Sequence, residues 1–292
     1  MELIELEEGV SIASPYPCIY LEEYGTLLFA DTHLGLEEHR ERLGIHIPYP
    51  VTEYIIDCIV RPVKELSCRR IIILGDVKHE FGRPSAEEWY SLKKLVSILR
   101  KNNCELEVVR GNHDNYIIYI LKELGVKLHD PHLILERNDG SNILLIHGHL
   151  ESKVIHDASK GIGLVVMGHE HPSIAIKDEL GIKHRFKTFL YGKDVMISKG
   201  AAATVVAADA DADEPHSHSH RFMPTSIVAT NISMIVLPSL SPLAYGNPLN
   251  ENTMIKSPIL RHIGVEGLTP YLIEVGIMVK RFPEMRHLML AR

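Results

Sequence analysis

Short, nearly uninterrupted apolar runs recur along the chain at residues 26–30, 70–74, 106–109, 142–146 and 164–167. Runs of this length without polar alternation fit strands buried on both faces. Between them the period changes. Ser85 followed by Glu88 forms a capping box, and Trp89, Leu92, Leu95, Val96 and Leu99 then share one helical face to about Arg100. Residues 115–124 predict a second helix, stopped by Gly125 where a left-handed cap is wanted. Residues 51–66 predict a third, kinked or restarted at Pro62, which lacks a backbone donor. Strand, turn and helix in repetition predict an α/β protein with a largely parallel central sheet. Further on, residues 226–237 predict a hairpin turning near Asn231, 238–258 a loop, and 271–279 a last strand.

A polar cluster follows each of the five runs: Asp31-Thr32-His33, Gly75-Asp76, Gly111-Asn112-His113-Asp114, His147-Gly148-His149 and Gly168-His169-Glu170-His171. Sites in parallel sheets gather at the carboxyl edges of strands, so this shared position is informative whatever the residues are. Together the clusters offer two carboxylates, one amide oxygen and several imidazoles, the ligand chemistry of a pair of divalent metals. Asp31 and His33 can turn toward one ion, although Asp31 also suits a helix N-cap. Gly75 lets the backbone approach while Asp76 bridges the ions, although Gly-Asp is also a common turn. Asn112 supplies an amide oxygen, His113 stays free to act, and Asp114 is expected to orient the His113 ring. His169 and His171 alternate on extended chain and so share a direction. One histidine after a buried strand is ordinarily a packing residue. Two such clusters, following three that carry carboxylate or amide, are poorly explained that way. His79 and His149 are expected to lie just behind the ligands or to touch substrate.

The order Asp-x-His, Gly-Asp-x-x-His, Gly-Asn-His-Asp, His, Gly-His-x-His, spread over about residues 20–175, resembles the calcineurin-like metallophosphoesterase superfamily. The resemblance implies a four-layer α/β/β/α sandwich, two sheets flanked by helices. It also implies roles. One metal would take Asp31, His33, Asp76 and His171; the other would take Asp76, Asn112, His147 and His169; His113 would stand near the leaving group without ligating. Ala30-Asp31-Thr32-His33-Leu34-Gly35-Leu36-Glu37, Gly75-Asp76-Val77-Lys78-His79, Leu237-Pro238-Ser239-Leu240 and Gly246-Asn247-Pro248 look like the branch of ligase-associated PdeM-type DNA phosphodiesterases and their archaeal relatives. That finer likeness implies DNA or RNA as the phosphate-ester substrate and a DNA-repair helicase or ligase as partner.

Mixed nitrogen and oxygen ligands without thiolate suit Mn²⁺ first, then Fe, Co, Ni or Zn. Two dications against the charges of Asp31 and Asp76 leave the site electropositive toward phosphate oxygens. A water shared by both ions is the expected nucleophile, and His113, backed by Asp114, is the expected acid for the departing alkoxide. Taken with the substrate that the finer resemblance implies, the expected reaction is phosphodiester hydrolysis in nucleic acid. A phosphatase or nucleotide phosphodiesterase for a small substrate is the alternative. A metal-stabilised, inactive scaffold for repair partners is another, and intact Asn112 and His113 count against it.

Composition narrows the setting. A chain of 292 residues, 45% hydrophobic, can bury the core of one large α/β domain, read here as residues 1–292. Net charge of −7 argues against a surface that wraps nucleic acid as a whole. Local basic strips at 39–42, 69–70 and 183–187, and the set Lys280, Arg281, Arg286 and Arg292, are ordinarily solvated surface. The start, MELIELEEGV, lacks a basic n-region, and no run of about 18 apolar residues occurs. Cys18, Cys58, Cys68 and Cys104 show no CxxC spacing and read as reduced packing residues. A soluble cytoplasmic protein without membrane contact is expected. Residues 198–225 change texture to a low-complexity, mobile insertion in which His216, His218 and His220 offer loose metal contacts.

Overall fold

The computed structural model describes residues 1–150, 153–157, 160–197 and 230–289. The low-complexity stretch at 198–225, with its three histidines, lies outside them, as does Arg292. One sheet has seven strands in spatial order: β1 (Glu2–Glu7), β2 (Val10–Ser14), β3 (Ile19–Leu21), β4 (Thr26–Phe29), β5 (Arg70–Leu74), β6 (Glu105–Val109) and β7 (Lys127–His129). The first four form an antiparallel meander, and β4 to β7 are parallel.

Among the described residues the second sheet has nine strands. They are β8 (His132–Glu136), β9 (Asn142–Ile146), β10 (Ile162–Met167), β11 (Pro172–Lys177), β12 (Lys183–Ile197), β13 (Thr230–Val236), β14 (Asn247–Pro248), β15 (Thr269–Glu274) and β16 (Met278–Arg281). Its centre, β9, β10 and β13, is parallel, while β8, β12 and β15 join antiparallel. The single, largely parallel sheet expected from the strand–helix repeat is therefore two mixed sheets. Helix-separated strands are the parallel ones in the first sheet, whereas the antiparallel edges, such as β1, none of whose residues is buried, carry a weak apolar signal.

Side-chain alternation along the strands builds the layers. Ile71 and Ile73 of β5 join Leu27 and Phe29 in a core that also takes Ile55, Ile59, Leu92, Leu95 and Leu99. Those five belong to α2 (Val51–Glu65) and α3 (Ala86–Lys101), which follow the short α1 (Leu36–Arg42). The intervening Ile72 and Leu74 enter a second core with Leu28, Ile143, Leu145, Leu164 and Val166, and this core lies between the sheets. Leu144, Ile146, Val165 and Met167 point the other way, against Ile259 and Leu260 of a short helix at Pro258–Ile263. The result is α/β/β/α. Each fully buried Ile or Leu contributes roughly 1.5–3 kcal/mol.

The capping box of α3 forms as expected, with the Ser85 side chain accepting from Glu88 N–H. Helix α2 runs unbroken through Pro62, so the expected restart is absent. The helix expected at 115–124 is confined to Ile118–Glu123, because the preceding residues form turns, and Gly125 follows at φ +62°. Asn231 lies inside β13 opposite Met196, so the hairpin turn expected there does not occur. The last strand divides into β15 and β16, paired antiparallel about Gly276 at φ +81°. All four cysteines are buried and free. No helix among the described residues is long and apolar enough to cross a membrane.

Candidate metal centre

Three strand ends from each sheet meet at one edge. Asp31, Asp76 and Asn112 follow β4, β5 and β6; His147 and His169 follow β9 and β10; Leu237 and Ser239 follow β13. The sheets are tied there directly. His147 Nδ1–H donates to Leu74 O at 2.8 Å, and His169 N–H donates to Asp31 Oδ2 at 3.0 Å. Because a carbonyl only accepts, the first bond assigns the His147 tautomer and leaves Nε2 facing the cleft.

Two donor sets form around Asp76. Asp31, His33, Asp76 and His171 can place one ligand atom each within 4.8 Å of one another, as can Asp76, His147 and His169. His33 Nε2 is 3.3 Å from His171 Nε2, and His171 Nε2 is 3.1 Å from Asp31 Oδ1. On the other side His147 Nε2 stands 3.3 Å from Asp76 Oδ2, 3.1 Å from Asn112 Oδ1 and 3.2 Å from His169 Nδ1. Asp31 Oδ1 is buried with no aligned hydrogen-bond donor. Converging lone pairs with such an orphan carboxylate oxygen are costly alone and fit divalent cations. His33, His79 and His113 make a third group, which shares His33 with the first.

Backbone strain is concentrated at the same residues. Asp31, His33, Asp76, His169 and His171 all take positive φ, between 44° and 67°. Non-glycine residues rarely do so, and the strain clusters where structure is held for function. Close approach accounts for the glycines. A Cβ on Gly75 would lie 2.3 Å from His147 Nδ1, and one on Gly111 2.3 Å from Asp76 N.

Charge balances within the cluster. Burial raises the Asp31 carboxyl, but His171 and His147 outweigh it and hold the group below its ordinary value. Burial likewise opposes ionisation of Asp76, and His147 and His33 overcome it. Burial opposes the His147 cation, yet Asp76 beside it raises that imidazole to about 9. His79 and His149 are each lowered to about 4, first by burial and then by a neighbouring histidine. The His149 ring lies 5.2 Å from that of His147, and the His79 ring 5.5 Å from that of His113. Both flank the donor sets.

Asp114 does not orient His113. Its carboxylate accepts from Val77 N–H and Gly111 N–H, each at 2.9 Å, so it fastens two ligand loops together. Burial, then the Asp76 charge, raises it to about 6. His113 Nδ1–H donates instead to His79 O, and His113 N–H donates to Asp76 Oδ1 at 2.9 Å. The ring therefore turns Nε2 toward Asp76, 3.9 Å from Oδ2.

The 78–83 loop supplies that carbonyl, and two side chains hold it. Lys78 Nζ donates to Glu80 O and Gly82 O. Buried Glu88 accepts from His79, Glu80 and Ser85 N–H at 2.8–2.9 Å. The capping box was the visible signal for Glu88; its second task, across the chain from α3, was not visible. Glu88→Ala leaves three donors unpaired and is expected to lower stability by about 3 kcal/mol. A urea midpoint within error of wild type would refute this.

Later segments brace the site from behind. Ser239 Oγ–H donates to Asp31 O at 2.9 Å, and Lys187 Nζ donates to Ser239 O and Ser241 O. Glu170 accepts from Asn247 Nδ2 and from Lys256 and Ser257 N–H. These contacts occupy the basic strip expected at 183–187: Lys187 turns inward, Lys183 pairs with Glu251, and His184 with Asp178. Burial lowers Lys187 from 10.5 to about 7. Between those values the unfolded chain binds the extra proton, so stability rises with pH by up to about 1.4 kcal/mol per unit. Lys187→Met is expected to flatten that rise, read from urea unfolding between about pH 7 and 10. An unchanged slope would assign the titration to another group.

Comparison with known proteins agrees with this architecture. Phosphodiesterase YfcE of Escherichia coli (strain K12) is 26% identical over 131 residues, 45% of this chain and 67% of that protein. The crystal structure of Pseudomonas putida nuclease MPE matches 96% of this chain and 99% of its own with a TM-score of 0.56 and 18% identity, a likeness of fold. The calcineurin-like phosphoesterase superfamily domain matches residues 26–211, a span that starts at β4 and takes in all five polar clusters. The chain is thus a member of the calcineurin-like phosphoesterase superfamily, a family of metal-dependent hydrolases.

Proposed function

We propose that the chain hydrolyses phosphodiester bonds of nucleic acid with two divalent ions, Mn²⁺ first among the candidates. Asp76 Oδ2 between the two donor sets is the observation that carries this reading. In it, Asp31, His33, Asp76 and His171 hold one ion, Asp76, Asn112, His147 and His169 hold the other, and the chain acts as one catalytic unit. When bound, the ions supply Lewis acidity at the phosphoryl group and acidify a water for in-line attack.

The remaining work falls to the chain. Asp76 and Asp31 leave the paired ions a net positive charge, which orients a phosphate's non-bridging oxygens. His113, gripped through Nδ1 by His79 O, presents Nε2 to the departing oxygen and gives it a proton. His79 and His149 line the approach. The similarity to a phosphodiesterase and the fold shared with a nuclease support a diester in nucleic acid over a monoester.

The test is a panel with Mn²⁺-loaded protein: bis(p-nitrophenyl) phosphate, single-stranded DNA, RNA, a cyclic nucleotide and p-nitrophenyl phosphate. Turnover of the diesters, nucleic acid included, is expected. Turnover of the monoester with DNA, RNA and the diester left intact would overturn the reading.

A further inference from the structure

Phe81 is out of place for a packing residue. It is 56% exposed, yet one face of its ring lies on the His113 imidazole, with centroids 3.7 Å apart and planes 30° from parallel. The loop that carries it is clamped by Lys78 and Glu88, so the ring is presented to solvent from a held backbone. A residue that merely covered His113 would bury its outer face against the protein. Held against His113, which stands at the leaving group in the proposed reaction, this exposed ring lies within reach of a substrate base. Tyr116, three residues past His113, is likewise 54% exposed and strained at φ +66°. Arg83, two residues past Phe81, is exposed and has no carboxylate partner among the described residues.

We propose that the outer face of Phe81 is a stacking platform for the nucleobase on the leaving-group side of the scissile phosphate, and so sets specificity for substrates with an unpaired base there. This rests on the phosphodiesterase reading, in which His113 stands at the leaving group. A ring packed on His113 lies beside the departing nucleoside, where a base has a flat apolar face to offer it. Within a duplex that face is covered by the neighbouring base pair. Arg83 adds a cation for the adjoining phosphate.

The platform is tested with two oligomers of equal length and charge, an oligothymidylate and one built of abasic tetrahydrofuran residues. Phe81→Leu keeps an apolar cover over His113 but removes the flat ring. It is expected to lower kcat/KM on oligothymidylate about tenfold, through KM, while the abasic oligomer is unaffected and Phe81→Trp retains the base preference. Equal losses on both oligomers, or none on either, would overturn the platform.

A binding readout separates this from the reaction itself. Ca²⁺-loaded protein titrated into an oligothymidylate with one 2-aminopurine is expected to quench its fluorescence, and Phe81→Leu to lose most of the quenching. If wild type cleaves neither oligomer yet this quenching depends on Phe81, the hydrolytic reading falls and the platform stands. Quenching that is unchanged in Phe81→Leu sinks the platform whatever the turnover.

Discussion

Asp76→Asn is expected, on the proposed two-ion reading, to lower diester turnover by roughly a thousandfold or more and to release at least one metal ion per chain. The side chain faces both donor sets at once, with Oδ2 at 3.3 Å from His147 Nε2 and 4.0 Å from His33 Nε2. Its Oδ1 accepts from His113 N–H, and the amide oxygen of asparagine can keep that bond. The substitution therefore removes charge with little change of shape. Metal content by mass spectrometry, steady-state kinetics and a melting curve distinguish the outcomes. Full metal occupancy with undiminished turnover would show that Asp76 does not bridge.

His113→Ala should have the opposite signature. Metal content and KM are expected to hold, while kcat on DNA falls roughly 100- to 10,000-fold, the range for loss of a general acid. The leaving group supplies a sharper criterion. A deoxyribose alkoxide is a poor leaving group that needs the proton, whereas p-nitrophenolate leaves without one. The loss is therefore expected to be far smaller on thymidine 5′-(p-nitrophenyl phosphate) than on DNA. Equal losses on both substrates, accompanied by loss of metal, would assign His113 to the ligand set.

These two residues also show how far local pattern reaches. The five clusters, their position after apolar strands and the capping box at Ser85 were all legible, because each depends on neighbours within a few residues. The expectation that failed most informatively was Asp114. Adjacency in sequence pointed it at the His113 ring, but the turn after β6 swings its carboxylate to Val77 and Gly111 N–H. The carbonyl that does hold His113 comes from residue 79, in a loop whose shape is imposed by Glu88 and Lys78. The meander β1–β3 was missed for a different reason: Glu, Ser and Tyr interrupt the apolar residues of these short strands, so no continuous apolar run marks them.

By itself, the sequence determined which strands are buried on both faces, which residues carry metal-ligand chemistry, and the family those motifs resemble. Periodicity and residue type express all three locally. The tertiary structure alone decided that Asp114 turns away from the His113 ring, that His79 O holds that ring, and that Lys187, Ser239, Glu170 and Asn247 brace the site. Each of those outcomes depends on contacts between distant segments. Ser239 reaches Asp31 across 208 residues of chain, and His147 reaches Leu74 across 73. Such pairings form only when packing of the apolar faces brings the strand ends together, so no short stretch of sequence encodes them.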